Sequence, residues 1–361
     1  MLTHGGTAFA LARELGVPVS RVLDFSASIN PLGMPGLVRD AGRAALDEAV
    51  HYPEIDAASL VCDLARFYEL DPRHILPGAG STELIYLLPR LFRTRRALLV
   101  VPAFSEYARG PAQVDAGLDY MQLTAEKDFR FEAEKLLTNL HPDTDLVLIA
   151  NPGNPTGVGI DPEDLEAVAR ALRGRARLVV DEAFADFCPR RSLLNRVPRH
   201  DNLYVLRSLT KFYAIPGLRA GFLAGPPAGV ARLAAGRQPW TLSAPALAAA
   251  RACLQAGDFR RRTLAVVPGW RTELARGLRD LGMKVTPGEA NYLLARLRPS
   301  QDDADILAAR LRTLGILVRS CSDFRGLGNR FLRFAVRTSE ENRRLLTALT
   351  EVLGGDGRDR P

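Results

Sequence analysis

NLYVLRSLTKFYAIPGLRAGFLAG, residues 202–225, joins two apolar runs through a polar turn and a proline-glycine loop. A strand over Leu203–Leu206 runs into Ser208-Leu209-Thr210-Lys211, and Pro216-Gly217 then delivers Arg219 and a second apolar run ending at Gly225. One lysine therefore stands at a strand-to-loop edge, with hydroxyls three and one residues before it and a guanidinium eight after. That pattern suits a lysine that meets an aldehyde carrying a phosphate. The amine takes the carbonyl, while the hydroxyls and guanidinium hold the dianion. Taken alone, Lys211 would read as a solvated surface lysine; three further segments change that.

Working outward, Leu98–Val101, Leu146–Ala150, Leu178–Val180 and Leu203–Leu206 are short apolar runs that suit buried parallel strands. Between the second and third lies a well-marked helix. Asp161 can cap it, Pro162 fits its first position, and Leu165, Val168, Ala169 and Leu172 share a face before Gly174 ends it. Strand and helix in alternation imply an α/β domain whose mostly parallel sheet is flanked by helices. After about Thr263 the pattern becomes that of a smaller α+β unit. Helices are expected over Arg271–Leu281 and Asp305–Leu314 and after Ser339, with strands near Asn291–Leu297, Gly315–Arg319 and Phe331–Val336. Met1–Pro35 is polar and irregular, with a short helix near Ala8–Leu15 and prolines that suit an arm laid over something larger. The expected organisation is an arm over 1–38 that contributes to the small domain and the substrate site, a large domain over 39–265 and a small domain over 266–361.

Composition sets the class. The chain has 361 residues, 47% hydrophobic and 25% charged, as in an ordinary soluble globular protein. Its net charge of +7 comes from 48 Lys+Arg against 41 Asp+Glu and is diffuse, Arg260-Arg261-Arg262 being the densest run, so nucleic acid is not expected as a partner. Cys62, Cys188, Cys253 and Cys321 lack metal or redox spacing and suit reduced thiols. No leader opens the chain and no apolar run nears the ~18 residues of a membrane span. The expectation is a cytoplasmic protein with neither membrane nor metal among its partners.

Chemistry gathers in the other segments. Asn151-Pro-Gly-Asn-Pro-Thr-Gly157 follows a strand and places Asn154 in a rigid turn at the edge where α/β sheets bind ligands. Asp181 ends the apolar run LVVD, where a carboxylate is costly unless a cation meets it. With Lys211 nearby, that cation could be a protonated pyridine nitrogen; a helix cap is the plainer alternative. Gly80-Ser81-Thr82 opens a helix, either as an ordinary cap or as a phosphate seat. Late in the chain, Arg333 and Arg337 differ by four, and both face one side if the strand extends past Val336. Two cations on one side invite a dianion, although in a basic chain they also suit solvent.

Asn-Pro-x-Asn-Pro-x-Gly, Asp-Glu-Ala-Phe and Ser-x-x-Lys with Gly-Leu-Arg-x-Gly, in this order, resemble the fold-type I pyridoxal-phosphate enzymes, in the branch of histidinol-phosphate aminotransferase. Within that branch HGG, LDFSASINPLG, HYPE, GAGSTELIYLLPR and FLRFAVRTSEEN are most similar to the threonine-phosphate decarboxylases of cobalamin synthesis. The resemblance covers nearly the whole chain and implies a homodimer with pyridoxal 5'-phosphate. Lys211 would carry the cofactor, Asp181 would pair its ring nitrogen, Asn154 its 3-oxygen, and Phe104 would stack on the ring. Ser81, Thr82, Ser208, Thr210 and Arg219 would hold the phosphate, with Tyr52 reaching it from the second subunit. Arg319, Arg333 and Arg337, with His4, Ser28 and Asn30 of the arm, would bind the substrate. The implied activity is decarboxylation of L-threonine O-3-phosphate; the alternatives are histidinol-phosphate transamination and a non-catalytic, cofactor-binding regulatory module. One departure stands out. Many relatives have tyrosine where this chain has Phe184, which leaves the 3-oxygen to Asn154 or to another donor such as Tyr213.

Overall fold

The structure is a computed structural model that describes residues 5–354. In chain order the strands are β1 (Leu23–Asp24), β2 (Ile75–Gly78), β3 (Arg96–Val101), β4 (Gly117–Gln122), β5 (Leu146–Ala150), β6 (Arg177–Asp181), β7 (Leu203–Ser208), β8 (Gly221–Ala224), β9 (Lys284–Val285), β10 (Tyr292–Arg296), β11 (Ile316–Leu317), β12 (Arg319–Ser320) and β13 (Phe331–Ala335). The central sheet runs β2-β8-β7-β6-β5-β3-β4. Its pairs from β4 through β7 are parallel, and β8 alone opposes its neighbours β7 and β2. This is the mostly parallel α/β sheet expected from the apolar runs.

Those runs are unbroken because both faces of the sheet are covered. Alternate residues divide between two cores. Val147, Ile149, Leu178 and Val180 enter one, beside Leu165 and Val168 of helix Pro162–Ala171. Leu146, Leu148 and Val179 enter the other, against Leu84, Leu87 and Leu88 of helix Ser81–Phe92. Each such side chain, fully buried, contributes ~1.5–3 kcal/mol, so the strand ends that carry the polar residues are firmly placed. Helix Pro162–Ala171 starts on its proline as expected, but Asp161 makes no capping bond: its carboxylate accepts from Arg191 instead.

The smaller unit is an antiparallel sheet, β12-β13-β10-β9, with helices Ala304–Thr313 and Ser339–Gly354 beside it. The arm joins it. β1 pairs parallel with β11, and the Ala335 amide donates to the Phe25 carbonyl at 2.8 Å. The arm then crosses to the large sheet, where the Asn30 amide donates to the Lys211 carbonyl at 3.0 Å. The boundary expected at residue 265 falls inside one helix, Gly257–Asp280, which continues through Pro268. Val267, Leu274 and Leu278 bury one side of that helix. No helix among the described residues is long and apolar enough to cross a membrane.

Candidate active site

Parallel strands β3, β5, β6 and β7 end at one edge of the sheet, where such sheets leave a crevice. A cavity of ≈ 480 Å³ lies there. Asp181, the last residue of β6, and Lys211, in the single turn Leu209–Phe212 after β7, both line it. Burial lowers the Lys211 amine to about 8, with Arg333 and Arg219 acting in the same direction and Asp181 opposing them. Burial raises the Asp181 carboxyl, although Tyr107, the Ala183 amide and Lys211 all pull it down. Tyr107 donates to Asp181 Oδ2 at 2.7 Å and Ala183 N–H to Oδ1 at 2.9 Å. Lys211 is therefore neutral over much of the range where a free lysine is charged, and Asp181 is a buried carboxylate that a further cation would relieve.

Beside them three chain segments form a hydroxyl-rich cradle. Ser81 and Thr82 begin a 12-residue helix, Ser208 Oγ and Thr210 Oγ1 lie 2.7 Å apart, and Arg219 reaches in from the following loop. Glycine makes this approach possible. Gly80 turns at φ +82°, and a Cβ there would lie 2.5 Å from Arg219 Nη2. On Gly221 it would lie 3.0 Å from the Ser81 nitrogen. Hydroxyls, a helix N-terminus and one guanidinium form a donor set suited to a phosphate dianion.

The far wall comes from the smaller unit and the arm. Arg333 is buried on β13; it donates to Asn154 Oδ1 at 2.6 Å and to the Ser26 carbonyl at 2.7 Å. Arg319 of β12 holds both carboxylate oxygens of Asp323 at 2.8 Å. Ser28 is buried against the cavity, and its hydroxyl has no partner among the described residues. Phe104 also lines the cavity, and Asn154 is held in place from below. Asn151 bonds Ile160 in both directions and Arg191 O, while Tyr292 OH donates to Gly153 O at 2.6 Å.

Three expected residues lie elsewhere. Asn30 is buried outside the cavity wall, with its amide nitrogen on the Phe212 carbonyl (2.7 Å) and Thr263 Oγ1 (2.9 Å) and its oxygen on Leu32 N. It braces the lysine turn instead of facing a ligand. β13 stops at Ala335, two residues short of Arg337, whose guanidinium binds Glu341 Oε1 at 2.6 Å and stands off the cavity. Tyr52 is 82% exposed and packs at a tilt against Trp240, with ring centres 4.9 Å apart. His4 lies outside the described residues. Tyr213 cannot replace the missing tyrosine hydroxyl: it is buried against Phe212 and Phe259, off the cavity, while Phe184 lines the wall edge-on to Tyr292.

Sequence reasoning missed Tyr107, three residues past Phe104 in the same PAFSEY segment, and that i+3 spacing was the available signal. It also missed Arg207. This buried guanidinium pairs with Glu182 (2.9 Å), the residue after Asp181, and with Asp186 (2.6 Å). Burial alone would lower it, but the two carboxylates hold it well above the usual arginine range.

The family model for aminotransferase class I and II matches residues 20–349. The chain belongs to this family. A threonine-phosphate decarboxylase of Salmonella typhimurium is 39% identical over 360 residues, 98% of this chain and 97% of that one. An adenosylcobalamin biosynthesis bifunctional protein of Leptospira interrogans is 28% identical over 356 residues, 98% of this chain and 41% of its own length. A histidinol-phosphate aminotransferase from Sinorhizobium meliloti, solved in complex with pyridoxal-5'-phosphate, superposes with TM-score 0.87 at 25% identity, covering 99% of this chain and 96% of that one. In this member of the family the lysine, buried carboxylate and phosphate-type cradle fit that cofactor: each polar feature of the large-sheet wall has a matching group on it.

Proposed function

We propose that the protein is a pyridoxal-phosphate-dependent carboxy-lyase that converts L-threonine O-3-phosphate to (R)-1-amino-2-propanol O-2-phosphate in cobalamin biosynthesis. One observation carries the reading. A single cavity holds two separate cationic provisions, Lys211 and Arg219 from the large sheet and Arg319 and Arg333 from the small one. The first suits a cofactor with one phosphate; the second suits a substrate with two anionic groups. The names of the Salmonella and Leptospira relatives point the same way.

In this reading Lys211 attaches the cofactor, Asp181 pairs its ring nitrogen, and Asn154 donates to its 3-oxygen through the amide nitrogen left by the Arg333 bond. Phe104 covers the ring, while Ser81, Thr82, Ser208, Thr210 and Arg219 take its phosphate. When bound, pyridoxal phosphate supplies an electron-withdrawing ring for the pair released when a bond at the substrate's Cα breaks. Arg319, Arg333 and Ser28 orient the substrate, and that orientation selects the bond. Anchoring the phosphate would leave the carboxylate free to be lost as CO2, a proton taking its place at Cα.

A second copy of the chain completes the site. Leu46, Val50, Tyr52 and Ile55 are exposed at 61%, 83%, 82% and 55%, a run of apolar surface suited to an isologous dimer. Tyr52 would reach the partner's cofactor phosphate from that face. Four cysteines without disulfides suit a cytoplasmic setting.

Product analysis with L-threonine O-3-phosphate and no keto acid tests the reading. Stoichiometric CO2 and an aminopropanol phosphate over many turnovers are expected. A single half-turnover to pyridoxamine phosphate, restarted only by 2-oxoglutarate, would make the protein an aminotransferase for phosphorylated substrates. The Sinorhizobium likeness keeps that second reading in view.

A further inference from the structure

Among the cavity's arginines, two have no part in the site described so far: Arg109, which pairs with Glu106 at 3.1 Å, and Arg325. Arg325 lines the cavity from the segment after β12, on the exposed side of that wall. Its neighbours Phe324 and Leu327 are buried, packed in one apolar cluster with Phe129, Leu294 and Phe331, so the loop is anchored on both sides of it. Gly326 turns at φ +91° against β4, where a Cβ would come within 3.0 Å of the Gln122 side chain. The Arg325 guanidinium lies 4.0 Å from the centre of the Tyr120 ring, also in the cavity wall, and forms no ion pair with a described residue. A ring face holds a guanidinium in place without neutralising it.

The other arginines of the wall are already engaged. Arg319 is matched by the two oxygens of Asp323, so its charge is balanced before any ligand arrives. Arg333 is buried, with two of its nitrogens on Asn154 and Ser26. Arg219 belongs to the hydroxyl cradle. We propose that Arg325 selects substrates that carry a distal phosphate, supplying the unneutralised charge which Arg319 lacks. This rests on the proposed function and deepens it, since it names the residue that distinguishes a phosphorylated amino acid from its parent. Exposure suits the role. A dianion entering from solvent meets Arg325 before it reaches the buried arginine, and the planar donor fork can take two of its oxygens.

The test uses the holoenzyme and two ligands. The KM for L-threonine O-3-phosphate and the inhibition constant of L-threonine are measured for the wild type, Arg325→Ala and Arg325→Lys. Loss of one charge-assisted contact raises the KM of Arg325→Ala about tenfold to a hundredfold. Its kcat stays within a few-fold and its inhibition by L-threonine is unmoved, while Arg325→Lys keeps most of the preference. If Arg325→Ala discriminates between the two ligands as well as the wild type does, the assignment is overturned and the proposed substrate stands. If the wild type itself binds both ligands alike, the substrate reading fails and the assignment with it.

Discussion

On the large-sheet wall of the cavity, Asp181, Ser208, Thr210 and Lys211 are the last residues of β6 and β7 or the turn immediately after them. On the small-sheet wall, Ser28 comes from the arm, Arg319 and Arg333 from β12 and β13, and Arg325 from a loop. The first set is held by strands buried along nearly their whole length; the second is assembled from segments some 300 residues apart in the chain. The contrast separates two tasks. On the proposed reading, groups that hold the cofactor stand on the rigid large sheet, whereas groups that choose the substrate sit where the arm and small sheet can differ without disturbing the core.

The sharpest way to break this division is Lys211→Ala. It should abolish the borohydride-fixed link to the cofactor and all turnover, with the fold retained; mass spectrometry of the reduced protein decides it. A link found on another lysine would sink the assignment of the large-sheet wall.

Asp181→Asn comes next. Removing the charge that would meet the ring nitrogen should cost about 3–5 kcal/mol of that pairing, or roughly two to four orders of magnitude in kcat, as for a broken buried pair. The cofactor's visible absorbance should shift as well. A loss of less than about tenfold would mean that Asp181 is structural.

On the small-sheet wall, Arg333→Ala should raise the KM for the phosphorylated substrate about a hundredfold, the equivalent of ~2.7 kcal/mol. Arg337→Ala should leave KM within about threefold and lower stability by ~1 kcal/mol through its lost Glu341 pair. The pairing in the structure thus reverses what spacing alone suggested for Arg337. Equal KM effects in the two variants would restore the original expectation.

The last expected effect is in pH. Because Lys211 is lowered to about 8 from 10.5, cofactor capture by the apoprotein should speed up about tenfold between pH 7 and 9. Across the window from about 8 to 10.5 the unfolded chain holds one proton more at this site than the folded apoprotein. Apoprotein stability should therefore rise with pH there, relative to Lys211→Met. Urea melts of the two proteins measure the difference, and parallel curves would show an unperturbed lysine.

The α/β sheet and the cofactor wall were legible because each depends on local pattern. An unbroken apolar run implies a strand covered on both faces, and a polar residue at the end of such a run must sit at the sheet edge. Asp181, Asn154, Ser208 and Lys211 were placed by that logic alone. Where contacts join residues distant in the chain, pattern was silent or misleading. Arg337 looked equivalent to Arg333 until β13 ended at Ala335 and Glu341, four residues on, took its charge. Asn30 looked like a ligand contact, yet its amide spans 182 residues to the Phe212 carbonyl. Tyr107 reaches Asp181 across 74 residues, and a hydroxyl announces no partner. By itself, then, the sequence determined which strands form and which polar residues stand at their ends, because short-range periodicity and burial dictate both. The tertiary structure alone decided which arginines keep an available charge, because that depends on the carboxylates and rings that folding brings beside them.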